Sequence, residues 1–228
     1  MEQSSVINTV LDDMVSDLPK KEDCVYTPHY CEENIWMLAK KIQERNPEKL
    51  KFCYPVFISN ENNHIPLWRQ RVGKDEDGLV VWDYHVIMVY YNEEASWVYD
   101  FDTQLKFPTP FSEYSKETFK SDEIVNPSFH RFFRVIPAES YLKFFSSDRS
   151  HMKRNGLWIK PPPEYPPLRN SEESHNLEQY ISMKSESSEV TKFGYVFTLN
   201  SFIEKFSIKH AWFDYTTPQE PTYLGVLR

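Results

Sequence analysis

Residues 78–105, GLVVWDYHVIMVYYNEEASWVYDFDTQL, read as a β-hairpin that carries a histidine opposite two aspartates. Residues 79–91 and 96–103 are rich in Val, Ile, Tyr, Trp and Phe, and the polar Asn92-Glu93-Glu94-Ala95 between them has turn chemistry. Period-two alternation puts Val81, Asp83, His85, Ile87 and Val89 on one face of the first strand and Trp82, Tyr84, Val86, Met88 and Tyr90 on the other. A two-residue turn at Glu93-Glu94 and a four-residue turn over 92–95 give the same register, with His85 facing Asp102 and Ile87 facing Asp100. Directly opposed Cβ atoms lie roughly 5 Å apart and diagonal ones roughly 7 Å, so either carboxylate can reach and orient the imidazole. A slip of one residue would destroy the arrangement. A His-Asp pair alone also fits a satisfied core histidine beside a strand end, so chemistry requires a third member.

That member is sought upstream. In CEENIWMLAKKIQERN, residues 31–46, the apolar Ile35, Leu38, Ala39 and Ile42 recur at helical spacing, with Glu32 and Glu33 in the first turn and Lys40, Lys41 and Arg45 toward the end. Cys31 sits at the amino end of this helix, where the dipole and free backbone N–H groups favour a thiolate while the two glutamates oppose it. A lone cysteine is usually a small buried hydrophobe. A helix-start cysteine followed by a strand histidine and an aspartate on the neighbouring strand is instead the order of papain-like and transglutaminase-like sites. Cys24, in an irregular lead-in, and Cys53, in the core-strand pattern FCYPVFIS, lack this context.

Composition sets outer limits. The net charge of −8 argues against nucleic acid and anionic membranes as partners, and mildly favours a cationic ligand such as a free α-ammonium group. Many aromatics and prolines beside only 5 glycines indicate long, proline-stiffened connections rather than a helical bundle. No apolar run approaches a membrane span, and the start MEQSSVINTVLDDM lacks signal-peptide chemistry, so a cytoplasmic location, with a nuclear one open, is expected. Three cysteines without a CxxC pair predict free thiols. Neither a Gly-rich phosphate loop nor HExxH occurs, and no metal or cofactor is expected.

The chain divides into a weakly ordered lead-in over 1–22 with a short helix around residues 6–14, one catalytic domain over 23–208, and a peripheral tail over 209–228. Within the domain, a strand over 51–59, a turn at 60–63, the apolar IPLW and the loop GKDEDG precede the hairpin. After it come a helical stretch in FPTPFSEYSKETF, a buried strand in RFFRVIPA ending at Pro137, and a short helix over 140–145. SSDRSHMK, with Asp148, Arg149 and His151, reads as a loop with a structural or substrate-facing role rather than acid–base work. PPPEYPPL, residues 161–168, reads as a polyproline-type wrap over the surface, with an SH3-type ligand as the alternative. LEQYISM is a short helix, FGYVFTL a strand, and NSFIEKFS a helix capped by Asn200 or Ser201.

With Cys31, His85 and YDFDT in place, the sequence resembles the N-terminal glutamine amidohydrolase family. The matching stretches are CVYTPHYCEENIW, YPVFISN with IPLW, VVWDYHV, VYDFDTQLKFP, FKSD, FRVIPAESYLKFFSSDRSHMK, PPPEYP and ISM, in that order from about Cys24 to Phe206. WDYHV and SDRSHMK are the most specific. The resemblance implies an α/β (α+β) fold, a compact three-layer sandwich of helices around a largely antiparallel sheet, with a transglutaminase/papain-like core. It implies Cys31 as nucleophile, His85 as base and Asp100 as the orienting acid, deciding between two aspartates that spacing leaves open. The amino-terminal twenty-odd residues and the tail from about His210 fall outside the resemblance.

The activity so implied is hydrolysis of the side-chain amide of an amino-terminal glutamine through a cysteine thioester, releasing ammonia and leaving glutamate, in the N-degron pathway and by a monomer. Proteins and peptides with amino-terminal Gln are the implied substrates, with backbone N–H groups, that of Cys31 among them, holding the oxyanion. Glu32, Glu33 and Asp83 are the carboxylates available to read the α-ammonium group. A papain-like peptidase, a transglutaminase and a non-catalytic adaptor with a proline-rich segment are the alternatives.

Overall fold

The computed structural model describes residues 18–184 and 192–208; the expected helix around residues 6–14 and the tail from 209 lie outside them. In chain order the elements are α1 (Cys31–Arg45), β1 (Cys53–Ser59), β2 (Ile65–Leu67), β3 (Val80–Trp82), β4 (His85–Tyr91), β5 (Ser96–Tyr99), β6 (Thr109–Pro110) and α2 (Phe111–Tyr114), which runs on as a π-turn, Ser115–Phe119. Then follow β7 (Phe132–Val135), α3 (Ala138–Phe144), β8 (Lys153–Arg154), β9 (Leu157–Trp158), α4 (Leu177–Ile181), β10 (Tyr195–Thr198) and α5 (Leu199–Phe206).

The principal sheet has the order β10-β7-β1-β4-β5-β6, and every pairing in it is antiparallel. Alternation along β4 feeds two cores. Val86, Met88 and Tyr90 join Phe57 and Tyr99 under α1, α3 and α4, while Ile87 and Val89 join Ile58, Phe133 and Val135 under α2 and α5. Helices thus cover both faces of an antiparallel sheet, the mixed helix-and-sheet architecture expected. Phe57 is the hub of the first core, with its ring 5.3–6.4 Å from those of Tyr84, Tyr141, Phe145 and Tyr180. Burying one such ring contributes about 2–3 kcal/mol. The chain already packs into this core at Leu18.

The β4–β5 register is Met88↔Tyr99, Val89↔Val98 and Tyr90↔Trp97, as the turn length dictates, closed by a hydrogen bond from Asn92 N–H to the Ala95 carbonyl. One difference bears on the site. The stretch 79–91 is not a single strand: it breaks at Asp83-Tyr84, where Asp83 Oδ1 accepts the Tyr84 N–H at 2.9 Å and the Asp83 carbonyl accepts Ser59 Oγ at 3.2 Å. The piece before the break, β3, leaves the main sheet and pairs with β2. A smaller correction concerns α5, whose cap is Thr198, not Asn200 or Ser201, since the Thr198 hydroxyl accepts the Ser201 N–H from extended backbone.

Candidate active site

The helix face made by Ile35, Leu38, Ala39 and Ile42 is buried against the sheet, so α1 holds its first residue at the amino end of β4. Cys31 is there, partly exposed. Burial and the neighbouring Glu32 and Asp102 charges push its thiol well above the ordinary value, while a backbone hydrogen bond from Val86 pulls it down. Burial first, and the Glu32 charge after it, outweigh the helix-end setting, and the resting sulfur keeps its proton.

His85, the first residue of β4, is fully buried and stacked on Trp82 with ring centroids 5.0 Å apart. Its Nε2 lies 2.9 Å from Asp100 Oδ1, and Nδ1 is buried without a partner. Burial lowers the imidazole pKa, but the charge and hydrogen bond of Asp100, with Asp102 and Asp83 behind it, leave it above the ordinary 6.5. With Nε2 donating to the carboxylate, Nδ1 carries the lone pair that can take a proton.

Of the two aspartates left open by spacing, Asp100 makes this bond because the β4–β5 ladder ends at Met88↔Tyr99 and the chain then turns. The turn brings the Asp102 N–H to 2.9 Å from Asp100 Oδ1, and Tyr114 and Gln70 donate to Oδ2 at 2.7 and 3.3 Å. Asp102 accepts the Tyr26 hydroxyl at 2.6 Å. Ligand atoms of His85, Asp100 and Asp102 lie within 4.8 Å of one another, the one such group among the described residues that could offer a metal three donors. The four acceptor sites of Asp100 are already filled, one of them by the imidazole.

The three carboxylates considered for an α-ammonium group have separate fates. Glu33 is fully buried and pairs with both sides of the Arg149 guanidinium, at 2.7 and 2.6 Å. Glu32 is also fully buried; its Oε2 accepts the Tyr84 hydroxyl at 3.1 Å and lies 3.7 Å from the Cys31 sulfur, while Oε1 has no partner. Asp83 alone is exposed, and it lines a cleft of about 230 Å³ shared with Cys31, His85, Trp82 and Asp102. His151 and Met152 border that cleft too, so the SSDRSHMK loop reaches it. Trp82 and Tyr84, which also border the site, belong to the WDYHV stretch, whereas Gln70 and Tyr114, which complete the surroundings, carry no signal of their own in the sequence beyond lying in apolar or turn-rich stretches.

The cleft thus brings together a helix-start thiol and an imidazole that has one free nitrogen and a carboxylate bound to the other. The profile of the N-terminal glutamine amidase family matches residues 26–206, and the chain belongs to that family. It is 48% identical over 190 residues, 82% of this chain and 91% of the relative, to the protein N-terminal glutamine amidohydrolase of Drosophila mojavensis. It is 47% identical over the same shares to those of Drosophila melanogaster and Drosophila erecta.

Proposed function

We propose that this chain hydrolyses the side-chain amide of an amino-terminal glutamine, with Cys31 as nucleophile, His85 as acid–base and Asp100 as the group that orients it. The observation that carries this reading is one cleft shared by the helix-start thiol and the Asp100-bound imidazole. His85 Nδ1 takes the thiol proton as the sulfur attacks the amide carbon. The oxyanion is received by backbone N–H groups at the start of α1, that of Cys31 among them. Collapse breaks the carbon–nitrogen bond, and the imidazolium passes its proton to the leaving ammonia. A water deprotonated by Nδ1 then opens the γ-glutamyl thioester, which restores the thiol and leaves an amino-terminal glutamate. Such a product would enter the N-degron degradation route.

Restriction to a chain terminus needs a carboxylate free to meet an α-ammonium group, and Asp83 is the exposed one in the cleft. Asparagine, one methylene shorter, would leave its amide carbon out of reach of the sulfur.

Ammonia release from peptides beginning with Gln, beginning with N-acetyl-Gln, beginning with Asn, or carrying Gln internally tests this reading. Wild type is expected to act on the first alone, Cys31→Ala to abolish release, and Asp83→Asn to raise KM about tenfold with kcat little changed. Release that survives Cys31→Ala removes the thiol from the mechanism. Equal turnover of internal glutamine points to a general glutaminase or transglutaminase, and peptide cleavage to a peptidase.

A further inference from the structure

We propose that the groove between residues 25–29 and residues 160–165 binds the polypeptide that follows the amino-terminal glutamine, as an extended substrate site continuous with the cleft. This inference rests on the function proposed above. The groove has a volume of about 900 Å³ and the cleft about 230 Å³, and His29 and Lys160 border both. Sites for whole small ligands run from about 300 to 1,000 Å³, so the cleft suits one side chain and the groove a longer stretch of chain. A polypeptide whose first side chain enters the cleft has to carry its second and later residues past His29 and Lys160.

Both walls hang from the first turn of the helix that carries Cys31. Asn34 clamps one of them, accepting the Thr27 N–H at 2.8 Å and donating to the Thr27 carbonyl at 2.9 Å. Glu33 holds the other through Arg149, whose Nη1 donates to the Tyr165 carbonyl at 3.0 Å and to the Pro163 carbonyl at 3.5 Å. The Tyr30 hydroxyl reaches the Lys160 carbonyl at 3.5 Å. Residues 30, 33 and 34, bracketing the nucleophile, therefore set where the groove lies relative to the sulfur. His29, at the junction, takes the left-handed backbone conformation with φ 71°, uncommon for a residue with a side chain.

The lining names the kind of chain. Consecutive prolines at 161–163 have fixed φ and no N–H to spend on secondary structure, which makes one wall rigid before anything binds. Val25 and Tyr26 on the other wall are apolar and exposed, at 46% and 36%. The chemistry fits an extended peptide with apolar side chains just after the glutamine. The PPPEYP segment thereby gains a role as substrate wall rather than as a ligand for another domain.

The test has two arms. In turnover, Gln-Gly and a hexapeptide Gln-Val-Leu-Gly-Ser-Gly are compared: the hexapeptide is expected to have a KM lower by about tenfold at similar kcat, an advantage of the size that one or two side chains in an apolar site supply. Val25→Asp and, on the opposite wall, Pro161→Glu, both exposed positions, are each expected to erase that advantage, with thermal melts reporting that the variants are folded. In binding, Cys31→Ala protein is titrated with fluorescent hexapeptide, and addition of Val25→Asp is expected to weaken the Kd about tenfold. Equal KM for both peptides, or binding indifferent to both wall substitutions, overturns the groove assignment. Absence of turnover on either peptide with groove-dependent binding intact overturns the hydrolase reading and leaves the groove standing.

Discussion

Asp100 and Glu32 are both buried beside the reactive groups, at 1% and 0% exposure, yet their surroundings shift their proton affinities in opposite directions. Burial pushes each carboxyl up. At Asp100 this is outweighed by the His85 charge and by hydrogen bonds from His85, Tyr114 and the Asp102 N–H, so it is held below the ordinary carboxylate range. At Glu32 burial prevails over its hydrogen bonds, one oxygen is left unpartnered, and the carboxyl is pushed up to about 7. The strand side of the cleft is built to keep a charge; the helix side tolerates one beside the thiol only at a cost. What differs is the charge of the neighbouring group, His85 at Asp100 and Glu33 at Glu32, and the number of donors aimed at the oxygens.

The largest effect expected from breaking this contrast is on the strand side. Asp100→Asn removes the charge that fixes the imidazole, and loss of an orienting carboxylate in such a site costs about 10³–10⁴-fold in kcat/KM. The same change removes the largest influence that raises His85, leaving burial, which lowers it, opposed only by the lesser Asp102 and Asp83 charges. The acidic limb of the kcat/KM profile, expected above pH 6.5 in wild type because the base must be neutral, should therefore move to lower pH in the variant. A variant within tenfold of wild type, with its acidic limb unmoved, would sink the orienting role.

Glu33 sharpens the contrast, because it follows Glu32 directly, is equally buried, and has a bidentate guanidinium where Glu32 has a phenol. Arg149→Met strands that carboxylate in the interior and should cost about 3–5 kcal/mol of unfolding free energy, with Arg149→Met/Glu33→Gln recovering part of it. Urea denaturation of the two variants measures this. A loss under about 1 kcal/mol would mean that the charge of Glu33 is solvated by other means, since that is the range of an exposed pair.

How far the sequence discloses this arrangement depends on the range of the interactions. Alternation and turn length set the β4–β5 register, and helix periodicity places Cys31 at a helix start, because both are local regularities. The break at Asp83-Tyr84 is invisible to the same rule: each residue still continues a period-two pattern, and only pairing with IPLW, a nonlocal event, takes β3 out of the sheet. The choice of Asp100 over Asp102 depends on where the ladder stops, which spacing does not state. Arg149 lies 116 residues from Glu33, and its loop has no period, so the partner that removes Glu33 from substrate recognition emerges only in three dimensions. The donors Gln70 and Tyr114 are hidden for the same reason.

The smallest expected effect is on the helix side, and its sign is opposite to that of a salt-bridged acid. An acid whose folded pKa lies above its unfolded value binds its proton more tightly when folded, so the stability it contributes is present at low pH and lost as pH rises. For Glu32 the loss runs from its ordinary 4.5 to about 7 and is complete above that. Glu32→Gln keeps an acceptor for the Tyr84 hydroxyl and cannot ionise. Relative to wild type it should therefore gain up to about 3 kcal/mol on going from pH 4 to pH 8, before any discount for relaxation around the charge. Groups that do not interact with Glu32 cancel in that difference. Because the Glu32 charge also holds the Cys31 thiol up, the variant's rate of alkylation by iodoacetamide should rise at lower pH than in wild type. Parallel stability curves and superimposable alkylation profiles would show that Glu32 ionises as freely as a solvated carboxylate. The donors around Asp100 would then not be what separates the two sides of the cleft.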